Sequence, residues 1–265
     1  MSDPVRQVRA SFVVASLCLL LVPVRAMAAQ GMNLAWDHCM GDGGVQNHNF
    51  ACNTNIGAHV MHGSFVLSSD FPDVIGTEII LQLAADSPAL PAWWQLKNPG
   101  SCRQPYFAGV FLPDPLDVVC VDWSEGQMVG GIGAYCTVTF PCAAPVPSPN
   151  AAVIKAINAV PQSSATTLTA GVEYYDFSLS ITNGKTVGSG ACAGCTVPVC
   201  IVLNSINVVD KGNLHPRKLT TGTAPGSNFV TWQGGGSPNV GGVIGCPAAT
   251  PTQRSTWGSV KALYR

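Results

Sequence analysis

Hydrophobic and polar residues alternate along parts of this chain with the two-residue period of a half-buried β-strand. The alternation is visible over 117–123 (DVVCVDW) and 131–140 (GIGAYCTVTF). Apolar or β-branched runs bounded by Gly, Pro, Asn or Ser predict further strands at four segments, which are 32–36, 58–67, 74–84 and 200–209. The pattern therefore favours a protein built from strands.

Three segments are less regular. Residues 151–160 (AAVIKAINAV) have a helix-like alanine content, but a strand is favoured because the strand pattern at 167–182 follows after a short polar turn. The apolar residues of 167–182 move from even-numbered to odd-numbered positions, so a regular strand would place them on both faces. A β-bulge near Tyr175-Asp176 would bring them onto one face. Residues 90–96 (LPAWWQL) show no alternation and predict a short helical turn.

Charged residues make up 10% of the chain, against about 25% in ordinary globular domains. Long solvent-facing helices need a coat of Glu, Lys and Arg, so the composition argues against them. We therefore predict an all-β fold, an antiparallel sandwich of the Ig-like or jelly-roll-like kind with long Gly/Pro-rich loops. One large domain over 29–265 is preferred, and the proline-rich segment 141–150 is the place where two smaller sandwiches would divide.

The first 28 residues have the layout of a secretory signal peptide. Arg6 and Arg9 precede an uncharged apolar run at 11–23, and the small residues Ala26 and Ala28 follow it. An apolar run of this length is shorter than the roughly 20 residues that cross a bilayer. We therefore expect cleavage after Ala28 and a secreted protein, extracellular or periplasmic, with no stable membrane insertion.

Removal of that segment takes away Arg6, Arg9, Arg25 and Asp3. It leaves 10 of the 13 basic and 13 of the 14 acidic residues, for a net charge of −3. Arg217-Lys218 is then the one basic cluster, which is too little for a protein whose partner is a nucleic acid. The charge is also too mild to indicate an anionic membrane, and the expected partner is an extracellular polymer or another surface protein.

Ten cysteines remain after cleavage, an even number in an oxidising compartment, so disulfides are expected to brace the sheets. They are Cys39, Cys52, Cys102, Cys120, Cys136, Cys142, Cys192, Cys195, Cys200 and Cys246. Proximity along the chain suggests Cys39–Cys52, Cys102–Cys120 and Cys136–Cys142, with the last four pairing among themselves.

The segment 192–200 (CAGCTVPVC) allows three interpretations. A CxxC spacing occurs in thiol–disulfide oxidoreductases, but there it opens a helix, whereas here Gly and Pro flank it and a strand follows. A zinc site would use Cys192, Cys195 and Cys200 with Cys246 or His215, but only one of the usual two knuckles is present. A disulfide-stapled turn entering a strand is therefore favoured.

Four histidines fall close together in sequence, at His38, His48, His59 and His62, near Asp37 and Asp42. In a strand His59 and His62 face opposite sides, so they do not form a metal-binding pair there. The carboxylates of Asp37 and Asp42 could hold Ca²⁺, although their spacing matches no calcium loop. No nucleophile motif or paired-carboxylate signal is found. We therefore assign no catalytic residue and no cofactor, with Ca²⁺ or Zn²⁺ as the alternatives.

Trp93-Trp94 is the clearest candidate for ligand binding. Exposed tryptophans stack on sugar rings, and from a strand two adjacent side chains cannot both point inward. The alternative, favoured by the usual burial of tryptophan, is that both fill the core near Cys102. Trp36, Trp123, Trp232 and Trp257 are expected in the core.

Together these features predict a secreted, non-enzymatic binding or structural module, with a glycan or surface polymer as its ligand. Two alternatives remain. One is a secreted hydrolase with a loop-built metal or carboxylate site, in which His38, His48 or Asp42 would converge. The other is a surface assembly subunit that pairs through sheet edges.

The signal peptide gives a first testable prediction. Mass spectrometry of protein recovered after export should find a mature chain that begins at Ala29. A mature N-terminus upstream of residue 20 would contradict the assignment.

Overall fold

Two β-sheets face each other across a hydrophobic interior in the computed structural model, which describes residues 29–113, 120–142, 146 and 148–233. The strands are β1 (Gly31–Trp36), β2 (Asn47–His48), β3 (Ala58–Val66), β4 (Phe71–Ala85), β5 (Phe107–Val110), β6 (Val121–Asp122), β7 (Val129–Cys136), β8 (Ala151–Ala159), β9 (Thr166–Leu168), β10 (Glu173–Thr182), β11 (Val199–Asp210), β12 (Arg217–Leu219) and β13 (Phe229–Trp232). The helical segments in these ranges are three single 3₁₀ turns, Met40–Asp42, Ala92–Trp94 and Gln162–Ser164.

The first sheet has five strands in the order β1-β3-β10-β5, and β6 also pairs with β10. The second has eight, in the order β2-β13-β11-β4-β8-β7, with β12 beside β11 and β9 beside β4. The named strand pairs are antiparallel except β6–β10 and β2–β13. Strands from before and after residues 141–150 are thus hydrogen-bonded to one another in both sheets.

The all-β, disulfide-braced sandwich predicted from the sequence is confirmed. Residues 151–159 form a strand, as the context of that segment favoured, and the single turn Ala92–Trp94 matches the predicted helical turn. Of the predicted strand at 117–123, residues 121 and 122 are strand, and 114–119 lie outside the described residues. No helix within the described ranges is long and apolar enough to span a membrane.

The core lies between the inner faces of the two sheets. Ile79 and Leu81 of β4 and Ile201 of β11 belong to the same buried cluster as Phe65 of β3 and Phe177 of β10. Full burial of one such side chain contributes about 1.5–3 kcal/mol to the free energy of unfolding. This cluster is the main apolar contribution that holds the sheets together.

The outer face of the eight-stranded sheet is also partly apolar. Ile80, Val153 and Cys136 form a separate buried cluster there, against which Cys142 and Val146 pack. A strand whose two faces are both buried reads as a continuous hydrophobic run and not as an alternation. This explains why the segment that became β4 shows β-branched content without a clear two-residue period.

A β-bulge in β10 directs a carboxylate into the core. The register with β3 shifts between Tyr175 and Phe177, so that Asp176 is the extra residue, as the parity change in the sequence suggested. Its Oδ1 accepts hydrogen bonds from Thr77 Oγ1 at 2.7 Å and from Asn158 Nδ2 at 2.9 Å, which link β10 to the opposite sheet. Its Oδ2 is buried and has no partner.

Burial raises the pKa of Asp176 to about 6, although these two hydrogen bonds favour the charged form. Because the pKa is higher in the folded chain than in the unfolded one, the folded state binds the proton more tightly. The stabilisation from protonating Asp176 is therefore complete at acid pH and is lost as the pH rises through about 6.

Substitution of this residue tests the inference. The difference in free energy of unfolding between the wild type and Asp176→Asn should fall by about 3 kcal/mol from pH 3.5 to pH 7.5, because a shift of about two units at 1.36 kcal/mol per unit disappears with the carboxyl group. Urea unfolding across that pH range measures the difference.

Asp210 supplies a control with the opposite sign. Burial alone would raise the pKa of Asp210, but hydrogen bonds from His215 and from the Leu214 backbone bring it below its usual value. The stability difference between wild type and Asp210→Asn should therefore grow with rising pH. If the stability difference between wild type and variant changed with pH in the same direction for both variants, the raised pKa assigned to Asp176 would be contradicted.

Candidate functional site

Three long loops gather at one end of the sandwich. They span residues 37–57 between β1 and β3, 86–106 between β4 and β5, and 183–198 between β10 and β11. Long loops on a rigid sheet scaffold are the usual place for binding residues. We refer to this end, with the C-terminal end of β13, as the loop end.

Two disulfides join the three loops. Cys52 of the first loop is bonded to Cys195 of the third, and Cys102 of the second is bonded to Cys192 of the third. The two cysteines of the CxxC segment therefore have different partners and do not bond to each other. The third loop is therefore covalently bonded to both of the other loops.

These bonds correct the pairing inferred from proximity. Cys39 pairs with Cys120 and not with Cys52, and Cys102 pairs with Cys192 and not with Cys120. The last four cysteines therefore do not pair among themselves, because Cys192 and Cys195 are bonded to earlier loops. The expectation failed because the strand order brings together residues 81 and 90 positions apart. Cys136–Cys142, which closes a short local loop, is confirmed.

The stapled-turn interpretation of 192–200 agrees with these pairs. Cys192, Cys195 and Cys200 are all disulfide-bonded, so none of the three offers a thiolate to zinc or to redox exchange. The other proposed zinc ligands are His215, which lies beside Asp210 at 3.1 Å, and Cys246, which lies outside the described residues.

Two asparagines add hydrogen bonds between the first and third loops. Asn55 Oδ1 accepts from the backbone N–H groups of Thr186 and Val187, and its Nδ2 donates to the Val187 carbonyl. Asn183 Nδ2 donates to the Ile56 carbonyl, and its Oδ1 lies 3.0 Å from His59 Nε2. The loops are thus held by side chains that satisfy backbone groups as well as by covalent bonds.

An aromatic cluster fills the space beneath the loops. Trp232 lies at its centre, with ring centroids at 4.3 Å from Phe50, 5.0 Å from Trp93, 5.2 Å from Trp94 and 6.2 Å from Trp36. The indole Trp232 Nε1–H donates to the Cys195 carbonyl, directly beside a disulfide. Aromatic packing and the cross-links therefore reinforce the same end of the molecule.

Trp93 and Trp94 are both fully buried, so the hypothesis of an exposed stacking platform is wrong and the core role is confirmed. The argument from strand geometry failed because the two residues lie on a 3₁₀ turn that enters the end of the sandwich. There the turn places both rings inside, with Trp93 Nε1 donating to Thr186 Oγ1. Trp36, Trp123 and Trp232 are also buried, whereas Trp257 lies outside the described residues.

The histidines do not gather into one site. His59 and His62 lie on opposite faces of β3, as predicted: His59 packs on Phe50, whereas His62 Nδ1 lies 2.8 Å from Ser178 Oγ. His48 stacks in parallel on Phe50, with ring centroids 4.1 Å apart. Burial lowers the pKa of His59, so the ring is favoured in its neutral form.

A potential metal-binding group in the described part of the chain consists of Cys39, Asp42 and Cys120, and it includes neither His38 nor His48. Two of its three members are joined in a disulfide and are not available as thiolate ligands. The convergence of His38, His48 and Asp42 that the hydrolase hypothesis requires is therefore not found among these residues.

Arg103, in the second loop, is a residue that the sequence did not single out. Its side chain is 0% exposed, and its Cζ lies 3.4 Å from the centroid of the Trp93 ring. Burial lowers the pKa of Arg103 to about 10, so the guanidinium keeps its charge at neutral pH. A buried cation–π contact contributes about 2 kcal/mol, which is less than the several kcal/mol that burial of a charge costs.

Comparison with known proteins finds no protein family, no curated protein and no solved structure that matches this chain.

The cross-links of the loop end can be tested by paired substitution. Cys52→Ser with Cys195→Ser should lower the free energy of unfolding by up to about 5 kcal/mol, since the bond closes 143 positions. Cys136→Ser with Cys142→Ser, which opens a separation of 6, should cost about 2 kcal/mol. If guanidinium unfolding gave the same loss of free energy of unfolding for both double variants, the assignment of Cys52–Cys195 as a bond between distant loops would be contradicted.

Proposed function

We propose that this protein is exported and acts, without catalysis, as an extracellular binding or structural module. In this proposal residues 29–265 form one sandwich, and the loop end is the surface that meets the ligand. The proposal depends most on one observation, the joining of three loops by Cys52–Cys195 and Cys102–Cys192.

Cross-linked loops suit recognition because their conformation is fixed before the ligand arrives. A flexible loop loses conformational entropy when it is ordered on binding, and a loop that is already ordered avoids most of that loss. The bonds to Cys192 and Cys195, together with the Asn55 and Asn183 hydrogen bonds, hold the loop surface in one arrangement.

The exposed side chains of the first and third loops indicate the class of ligand. Asn53 and Ser189 offer amide and hydroxyl groups, Lys185 carries a positive charge, and Ile56 is 84% exposed. Amides and hydroxyls beside a small apolar contact suit a ligand rich in hydroxyl groups. A glycan or a comparable surface polymer is therefore the proposed ligand.

The internal polar residues support a non-enzymatic role. Asp176 is enclosed between the sheets, and the Ser178–His62 pair is buried on the outer face of the five-stranded sheet. A general base or nucleophile must reach its substrate within hydrogen-bond distance. These buried groups are better explained by their hydrogen bonds within the fold.

The loop end can be tested with a matched pair of variants. Ile56→Asp places a charge on the proposed surface and should weaken binding to a responsive polysaccharide at least tenfold by calorimetry. Leu214→Asp makes the same change at a side chain that is 71% exposed, between β11 and β12 at the opposite end, and should leave the affinity unchanged. The tryptophan fluorescence of the aromatic cluster gives a second readout.

A panel of bacterial, plant and animal polysaccharides supplies the ligands for that test. Equal losses in both variants, or no binding by the wild type to any member of the panel, would contradict the proposed function.

A further inference from the structure

Arg103 occupies a site that its structural role does not explain. It follows Cys102, whose disulfide to Cys192 fixes the backbone, and its guanidinium lies against the Trp93 ring. The ring centroid of Tyr106 is 5.5 Å from Cζ. The arginine is therefore held in place by aromatic contacts and a covalent bond.

The hydrogen bonds of this guanidinium are incomplete. Nη2 donates to the Thr182 carbonyl, but Nε and Nη1 are buried without a partner. In the described parts of the chain the ion pair found is His215–Asp210, and no carboxylate is paired with Arg103. A buried guanidinium that keeps its charge thus has no counter-charge from these residues.

The free donors are arranged in a way that suits an anion. Nη2 carries two hydrogens, and the Thr182 carbonyl takes one of them. The other shares an edge of the planar group with either Nε–H or Nη1–H, both of which are unpartnered. One edge of the guanidinium therefore presents two parallel N–H donors, the geometry that binds a carboxylate through two oxygens or a halide through both hydrogens.

Two residues that belong to the contacts of Arg103 and Trp93 also carry buried polar groups without partners. The hydroxyl group of Thr182 belongs to the residue whose carbonyl Arg103 contacts, and the indole N–H of Trp94 belongs to the ring 4.9 Å from Trp93. Buried polar groups in native proteins are nearly always hydrogen-bonded, so the two unpartnered nitrogens of one buried cation point to an acceptor from solution.

We propose that the Arg103 guanidinium, beside Trp93, is the receptor of a buried site for a small monoanion of halide or formate size. The unpartnered nitrogens are fully buried, which excludes large anions such as phosphate esters or acidic polymers. The bound anion would neutralise the guanidinium and so stabilise the folded loop end. This site is separate from the exposed surface proposed to bind a glycan.

Bromide is a suitable probe because it is a small monoanion with anomalous X-ray scattering. Thermal unfolding of the full chain should be followed against bromide concentration, with sodium gluconate holding the ionic strength constant. A saturable rise in Tm of about 5 °C or more is expected once bromide exceeds its Kd about a hundredfold. A Tm that does not change, or that changes linearly without saturation, would overturn the proposal.

Two variants assign the effect to the arginine. Arg103→Met keeps an unbranched stem against Trp93 but removes the charge, and it should abolish the saturable bromide response. Arg217→Met is the matched control, because Arg217 also lies over an aromatic ring, Phe71, with Cζ 4.7 Å from the centroid, but is partly exposed. It should keep the full response, and a loss in both variants would contradict the assignment.

A second measurement needs no variant and so remains decisive if Arg103→Met does not fold. Wild-type crystals soaked in bromide should show an anomalous peak within hydrogen-bond distance of Nε, Nη1 or Nη2 of Arg103. Bromide peaks confined to the molecular surface would overturn the proposal.

Discussion

The loop end of this protein depends on two disulfides that join its third loop to the first and to the second loop. Cys192 and Cys195 are three residues apart, yet each is bonded to a different loop. A bond between distant residues removes much of the conformational freedom of the unfolded chain. With charged residues at 10% of the sequence, surface ion pairs contribute little here, and these bonds take a larger share of the stabilisation.

The packing of the aromatic cluster follows from the same constraints. The turn that carries Trp93 and Trp94 is attached through Trp93 N–H to the Ala193 carbonyl, which lies between the two cysteines of the third loop. Trp232 donates to the carbonyl of Cys195 itself. The rings thus lie where the cross-linked backbone offers hydrogen-bond acceptors. Their burial and the disulfides stabilise the same arrangement of the loops.

Local sequence features predicted the fold well. The β-branched run that became β11 and the change of parity around Asp176 are properties of neighbouring residues, and both gave the correct structure. The disulfide pairs depend on which strands lie side by side, so the proximity of Cys39 to Cys52 was misleading. Arg103 gave no signal because an isolated charge in a loop has no period from which its burial can be inferred.

Two buried charges limit the stability of the sandwich in different ways. The Asp176 carboxyl can take up a proton and become neutral, so its effect follows the pH. Arg103 keeps its charge at neutral pH, so polar groups or ions around it have to balance that charge. Both residues lie among hydrogen bonds or rings that connect separate parts of the fold, which fits a role in fixing one arrangement of the chain.

The spacing of Cys192 and Cys195 also bears on biosynthesis. In an unfolded chain the thiols that meet most often are those nearest in sequence, so a small ring within the third loop competes with the native bonds. A bond between Cys192 and Cys195 would therefore have to open by thiol–disulfide exchange before Cys102 and Cys52 could take their native partners.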